Sequence, residues 1–333
     1  METKNNVYYG MVDVLRLVFA ILVMMIHTMA FQSVNENLRI ATSMGICRLA
    51  VPFFFIVSGY FLYNRIKSPK EPKATLKRLL VLYVSWVLIE TVTLIPVVLS
   101  NLNMPIRIII QRFLFIGITG SLWYISSLII TIFIIAPLLR RDKIAFLLIA
   151  GVILYLFGTS GDTYNGLYEN TVLNPLIKDY TGIFFLPQVG ITESVLFVTL
   201  GATISKYKLN EKVKKAGLLS IISIIILLIE TFLLNKTGIA KDANMYLSAI
   251  ISAPLIFIWA IEYSKNISSK VSKACKEYSI GLYCSHQIIM IWIIILLPAL
   301  AANSMIKFIF TLCISALIIT LIRKTKLKNI ILK

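Results

Sequence analysis

The chain has 333 residues, of which 58% are hydrophobic and only 14% are charged, and its formal net charge is +18. A soluble domain carries about 25% charged residues, so this composition excludes a soluble globular protein and predicts a polytopic membrane protein. Membrane proteins collect basic residues in their cytoplasmic loops, so the positive charge does not predict a nucleic-acid partner.

Hydropathy along the chain predicts an all-α protein with about ten transmembrane helices. The predicted spans are 12–31, 45–64, 79–99, 121–139, 144–158, 183–204, 216–234, 245–263, 281–299 and 305–322. With a cytoplasmic N-terminus, the inner segments hold 24 of the 33 Lys and Arg residues and the outer segments hold 7. This asymmetry follows the positive-inside rule and predicts that both termini are cytoplasmic. We expect one transmembrane domain over residues 1–333, without a soluble domain or a cleavable signal peptide.

Two predicted outer segments are too long to be tight turns. Residues 100–120 carry Arg107 and Arg112 among apolar residues, which predicts a re-entrant or interfacial helix. Residues 159–182 are polar and aromatic. We interpret them as a solvated loop, with a cover over a sugar or amino-acid site as the alternative.

The first span carries Arg16 and His27, which lie about 16 Å apart along one helix. A charged group at such depth costs on the order of 3 kcal/mol and usually marks a functional path. Arg16 either forms a structural pair with Asp13, three residues earlier, or meets phosphate groups that enter from the cytoplasm. His27 either bonds a backbone carbonyl or acts as a general base on a hydroxyl, which makes it the best candidate for chemistry.

Further polar and aromatic residues in the spans are candidates for binding a donor or an acceptor. They are Arg48, Ser58, Tyr60, Glu90, Trp123, Tyr124, Glu193, Tyr283 and His286.

Several of these candidates have structural alternatives. The segment around Ser58 is also explained by packing, because a kink is expected at Pro52 and Gly59 allows close helix approach. Trp123 at the outer interface fits the aromatic belt. Glu90 and Glu193 are expected to pair with an arginine of the spans or to relay protons.

His27 and His286 are the two histidines of the chain. The predicted spans place His27 near the outer end of its helix and His286 in the inner half of the ninth helix. Two histidines at different depths do not make a metal centre, so no metal site is predicted. The four cysteines lack metal-binding spacing and are interpreted as packing residues.

Four motifs in order resemble the acyltransferase-3 family of bacterial integral membrane acyltransferases. They are Arg16 with His27 eleven residues later, the aromatic run 52–60, the triplet 122–124, and the segment 279–286. The resemblance covers about 280 residues and agrees with a ten-helix protein in a bacterial plasma membrane. It implies that Arg16 and His27 are the essential pair.

The resemblance also implies the reaction. An acyl group, usually acetyl, would pass from cytoplasmic acyl-CoA, acting as a donor substrate and not as a bound cofactor, to a hydroxyl of a cell-surface carbohydrate or lipid-linked glycan. Basic inner loops would steer the polyanionic donor. Ser58, Trp123, Tyr283 and His286 would line the tunnel.

A branch of the family provides the alternative. The segment 48–55 and the pair Gly161-Asp162 also resemble the membrane domains of membrane-bound serine racemases. Those domains are thought to take up serine, so the alternative function is a small amino-acid transporter. Export or assembly of a polysaccharide without chemistry is a third possibility.

Overall fold

The computed structural model describes residues 9–66, 68, 70–101 and 104–332. Its α-helices are α1 (Gly10–Thr28), α2 (Glu36–Arg39), α3 (Ala50–Arg65), α4 (Lys70–Thr93), α5 (Ile95–Asn101), α6 (Ile106–Phe115), α7 (Trp123–Arg140), α8 (Ile144–Gly161), α9 (Asn165–Tyr168), α10 (Leu173–Phe184), α11 (Ser194–Tyr207), α12 (Leu209–Lys212), α13 (Ala216–Thr237), α14 (Ala249–Glu262), α15 (Ser269–Leu296), α16 (Pro298–Ala301), α17 (Ser304–Arg323) and α18 (Lys328–Ile331). A π-helical stretch, Ile40–Gly45, and a 3-10 turn, Ile46–Leu49, connect α2 to α3, and a further 3-10 turn is Tyr263–Asn266. The described residues contain no strand, which confirms the predicted all-α class.

The long helices reproduce the hydrophobic segments of the sequence. Each predicted span overlaps one helix of at least 14 residues. Seven helical segments of the described chain are long and apolar enough to cross a membrane by themselves. The protein is therefore a multi-pass membrane protein, while the count of ten crossings and the cytoplasmic termini stay predictions.

The sixth predicted span, 183–204, begins too early. The helix α11 starts only at Ser194, and the residues before it form turns in which Phe185 and Gly190 adopt positive φ angles of 70° and 89°. Apolar composition alone extends a predicted span into such a segment, because hydropathy does not register a turn.

The outer segment 159–182 is largely exposed after residue 165, as its polar composition predicts, but it is partly helical and its first residues are buried. It contains the helix α10, and Asp162 and Thr163 are fully buried. Asp162 accepts hydrogen bonds from the backbone and side-chain amides of Asn244 at 2.9 and 2.8 Å. These bonds satisfy the buried carboxylate and fix the segment to the residues that precede α14.

The closest helix packing joins α3 to α11. A Cβ atom built on Gly59 would lie 1.9 Å from the carbonyl oxygen of Val198, and one built on Gly201 would lie 2.0 Å from that of Ile56. Only glycine permits this approach, so the packing interpretation of Gly59 is confirmed. The contact holds α3, which carries part of the site described below, against the centre of the bundle.

Candidate functional site

A cavity of about 320 Å³ opens at the end of the bundle where α1 and α15 begin and α3 ends. Among the described residues, its wall includes four cations and a single acid: Arg16, Arg65, Arg78, Lys276 and Asp13. Its deeper wall is apolar and aromatic. The volume lies at the lower end of the range of about 300–1,000 Å³ that is common for small-molecule sites.

The cations of the cavity are only partly neutralised by Asp13. Arg16 donates to Asp13 Oδ1 at 2.9 Å, and Ser272 donates to Asp13 Oδ2 at 2.6 Å. The structural pair considered for Arg16 is therefore present, and it lies inside the cavity. Both interpretations of Arg16 are compatible, because a carboxylate that holds a guanidinium in place leaves other donors of that group available.

Three aromatic rings form the deep end of the cavity. Phe54, Tyr124 and Tyr283 have ring centroids 5.7 to 6.4 Å apart. Ser58, one turn after Phe54, donates to the Phe54 carbonyl at 2.9 Å and lies 3.2 Å from the Tyr124 hydroxyl. Ser58, Tyr124 and Tyr283 are candidates from the sequence that the structure brings together, and we name the three rings the aromatic gate.

Glu90 positions the aromatic gate from outside the cavity. Its side chain is fully buried, and it accepts hydrogen bonds from the backbone N–H of Ile118 at 2.8 Å and the hydroxyl of Thr119 at 2.6 Å. Two residues further on, the Ser121 carbonyl accepts the hydroxyl of Tyr283 at 2.5 Å. Glu90 therefore holds this turn by hydrogen bonds. Its carboxylate does not form the expected pair with an arginine of the spans.

The two histidines lie side by side on the far side of the aromatic gate. The ring centroids of His27 and His286 are 5.0 Å apart, and neither residue lines the cavity. The prediction that they lie at different depths is wrong, because α15 begins at Ser269, twelve residues before the predicted span. His286 is thus the eighteenth residue of a 28-residue helix and lies in its second half.

The turn after His27 is strained. Met29, which ends α1, and Phe31 have positive φ angles of 52° and 69°. Such backbone costs on the order of 1–3 kcal/mol for residues other than glycine, and it clusters at functional sites.

Arg48 belongs to a second polar group. It lies in the 3-10 turn before α3, where it donates to the Ser43 carbonyl at 3.0 Å and bonds the side-chain oxygen of Asn244. Asn244 in turn bonds Asp162, so the three side chains form a continuous network. Burial raises the pKa of the Asp162 carboxyl, while its hydrogen bonds from Asn244 oppose that rise.

The remaining candidates lie away from the cavity. Glu193 is buried just before α11 and forms no ion pair with Arg16 or Arg48. Tyr60 packs against Phe257, with ring centroids 5.1 Å apart. Trp123 is the first residue of α7 and, like His286, does not line the cavity as the tunnel hypothesis expected. The described residues hold no group of three or more His, Cys, Asp or Glu side chains that could bind a metal.

Three cavity cations, Arg65, Arg78 and Lys276, were not among the candidates from the sequence, because they lie outside the predicted spans. They reach the cavity because α3, α4 and α15 extend beyond the apolar spans. Their positions at the polar ends of long helices are the signal that could have identified them.

The described helices form an integral membrane protein with a cationic cavity, an aromatic gate and two adjacent histidines. The profile of the acyltransferase-3 family, described as an acyltransferase domain, matches residues 10–324. This chain belongs to that family.

The chain is also similar to three enterococcal proteins. It is 32% identical over 267 residues to a serine/alanine racemase of Enterococcus gallinarum, covering 74% of this chain and 37% of that protein. It is 26% identical over 342 residues to an amino-acid racemase of Enterococcus faecalis, covering 95% of this chain and 46% of that protein. It is 26% identical over 338 residues to a second amino-acid racemase of Enterococcus faecalis, covering 96% of this chain and 45% of that protein. The chain thus spans less than half the length of these relatives. No solved structure matches it significantly.

Proposed function

We propose that this protein is a membrane O-acyltransferase that passes an acyl group, in the first instance acetyl, from cytoplasmic acyl-CoA to a hydroxyl of a cell-surface glycan or its precursor. The observation that carries the proposal is the cavity in which four cations face one acid among the described residues. A thioester of CoA is a polyanion with a slender, neutral arm. This shape fits a cationic mouth that leads to an apolar and aromatic interior.

The proposed donor would bind with its phosphates at the mouth and its arm directed inward. Arg16, Arg65, Arg78 and Lys276 supply the positive field. The cavity is too small for the whole donor, so the nucleotide stays at the mouth while the thioester approaches the aromatic gate.

His27 acts as the general base in this scheme. It takes the proton of the acceptor hydroxyl as the oxygen attacks the thioester carbonyl. The new carbon–oxygen bond forms, the carbon–sulfur bond breaks, and the proton on His27 passes to the departing thiolate. Because His27 lies beyond the aromatic gate, Phe54, Tyr124 or Tyr283 must rotate before the thioester reaches it.

The donor-binding part of the proposal is tested with acetyl-CoA and purified protein in nanodiscs. Titration calorimetry should detect binding that weakens as salt is raised. Arg78→Ala removes a cavity cation, and an interaction of about 1 kcal/mol with a phosphate predicts about fivefold weaker binding. Lys77→Ala is the matched control, because Lys77 is the neighbouring cation and does not line the cavity. Absence of binding at millimolar acetyl-CoA would refute the proposal.

The chemical part is tested with radiolabelled acetyl-CoA. Wild-type protein should hydrolyse the donor slowly or transfer the label to a glycan acceptor. The variant His27→Ala should bind the donor and lose this turnover. Turnover that persists in a folded His27→Ala protein would refute the role of His27.

The three relatives are named as racemases of serine, alanine or other amino acids, and an amino-acid ligand for this chain belongs to one alternative, a transporter for serine or another small amino acid. The Arg48–Asn244–Asp162 network offers a guanidinium and a carboxylate, which are the groups that bind an amino acid. Uptake of labelled serine into proteoliposomes without acetyl-CoA supports this alternative. Uptake equal to that of empty liposomes refutes it.

A further inference from the structure

The buried ring of His286 has one nitrogen fully bonded and one without a partner. Its Nδ1 lies 2.7 Å from the Tyr283 carbonyl and 3.2 Å from the Leu282 carbonyl, both one turn earlier on α15. Its Nε2 is buried and has no hydrogen-bond partner among the described residues. Such an orphaned buried atom calls for an explanation.

The partners of Nδ1 fix the tautomer of His286. Carbonyl oxygens only accept hydrogen bonds, so Nδ1 must carry the proton. A second proton on Nε2 would place an unpaired charge in a fully buried side chain, which is costly. His286 is therefore neutral, and its Nε2 is a bare lone pair held in a fixed direction by the helix backbone.

His27 is the neighbour that can use this lone pair. Its ring centroid is 5.0 Å from that of His286, with 39° between the two ring planes. Neither ring nitrogen of His27 makes a hydrogen bond to another described residue, and its side chain is partly exposed. A hydrogen bond between ring nitrogens needs them about 3 Å apart, so it requires a rotamer of His27 other than the one in the structure, where His286 Nε2 has no partner among the described residues.

We propose that His286 is a positioning residue for His27: its Nε2 accepts the N–H of His27 and so selects the His27 tautomer whose other nitrogen is free to act as a base. The kinetic side of this proposal rests on the proposed acyl transfer. The pairing itself does not, because a tautomer is observed without turnover. The backbone of α15 thus determines, through two imidazoles, which nitrogen of His27 receives a proton.

The direct test uses nitrogen NMR of ¹⁵N-histidine-labelled protein in nanodiscs. The chain has only two histidines, so the spectrum contains four ring nitrogens. In wild-type protein we expect His286 protonated on Nδ1 alone and His27 held in a single tautomer. In His286→Phe the preference of His27 should be lost, and in His286→Gln, whose side-chain oxygen also accepts, it should be retained. Ser285→Ala is the matched control, because it removes from the adjacent position a buried hydroxyl that has no partner among the described residues.

An unchanged His27 tautomer in folded His286→Phe would overturn the proposal, as would a wild-type His27 that is a mixture of tautomers. Should His286→Phe fail to fold, wild-type protein and His286→Gln still decide the question. A free Nε2 of His286 with no coupling to His27 would also overturn the proposal.

Kinetics separate this proposal from the proposed function. If acyl transfer is correct, His286→Phe should lower kcat on the order of 100-fold while the KM for acetyl-CoA stays the same, and His286→Gln should restore most of it. A coupled tautomer in a protein that never turns over acyl-CoA refutes the acyltransferase and keeps the pairing. Normal kcat in His286→Phe refutes the pairing and keeps the acyltransferase.

Discussion

Replacing Gly59 with alanine should destabilise the whole bundle, because it separates α3 from α11. The added Cβ would lie 1.9 Å from the Val198 carbonyl oxygen, and ordinary contact begins at 3.4 Å, so the two helices must part by about 1.5 Å. A gap of only 0.5–1 Å already forfeits about a quarter to a half of a dispersion contact. Overpacking costs about 1–3 kcal/mol, occasionally more, and we expect the upper end here, less about 1 kcal/mol gained from the helix propensity of alanine.

The assay is thermal unfolding in detergent, followed by a thiol-reactive dye. Cys47 and Cys284 are fully buried, so they react only as the bundle opens, provided that the other two cysteines are replaced with serine. Gly59→Ala should melt several degrees below wild type. The control is Gly182→Ala in α10, where a Cβ meets nothing within 4 Å and the alanine should be neutral or stabilising. A Gly59→Ala protein that melts at or above the wild-type temperature would refute the close-packing argument.

Other predictions concern the turn that positions the aromatic gate and the ion pair at the cavity. Glu90→Leu leaves the buried N–H of Ile118 without an acceptor and should cost about 1–3 kcal/mol for each donor left unpaired, measured as a lower melting temperature. Gly117→Ala should also destabilise this turn, because Gly117 has a φ of 75° and an added Cβ would lie 2.7 Å from Glu90 Oε2. If the two losses of stability simply add in a protein that carries both Glu90→Leu and Gly117→Ala, the two residues do not act on a shared turn. Asp13→Asn removes the acid that pairs with Arg16 and should tighten acetyl-CoA binding at low salt, whereas an unchanged dissociation constant would speak against a phosphate site there.

The sequence predicts the helices well because each crossing must be apolar. It predicts their polar ends poorly, and α15 is the clearest case. The residues Ser269 to Ile280 include lysines and serines, so hydropathy begins the span only at 281, although the helix already starts at Ser269. This error alone shifted His286 to the wrong depth and hid its contact with His27.

Contacts within the site were predictable only where the two residues lie close together along one helix. Asp13 and Arg16 are three residues apart, so the spacing of side chains along a helix is enough to predict their pairing. The bond from Thr119 to Glu90 and the bond from Asn244 to Asp162 join helices and loops far apart in the chain. No local pattern encodes such pairs, because only packing brings them together.

The closed end of the cavity has an electrical consequence. If water fills the mouth, it would carry the potential of its own side of the membrane inward as far as Tyr124 and Tyr283, and the membrane voltage would fall across the protein beyond them. Moving one elementary charge across this part of the protein would involve about 2.3 kcal/mol per 100 mV. In the proposed reaction, a neutral acyl group would cross it without this cost, while the phosphates of its carrier would stay behind. If the proposed acyl transfer is correct, it should therefore run at the same rate in energised and de-energised membranes.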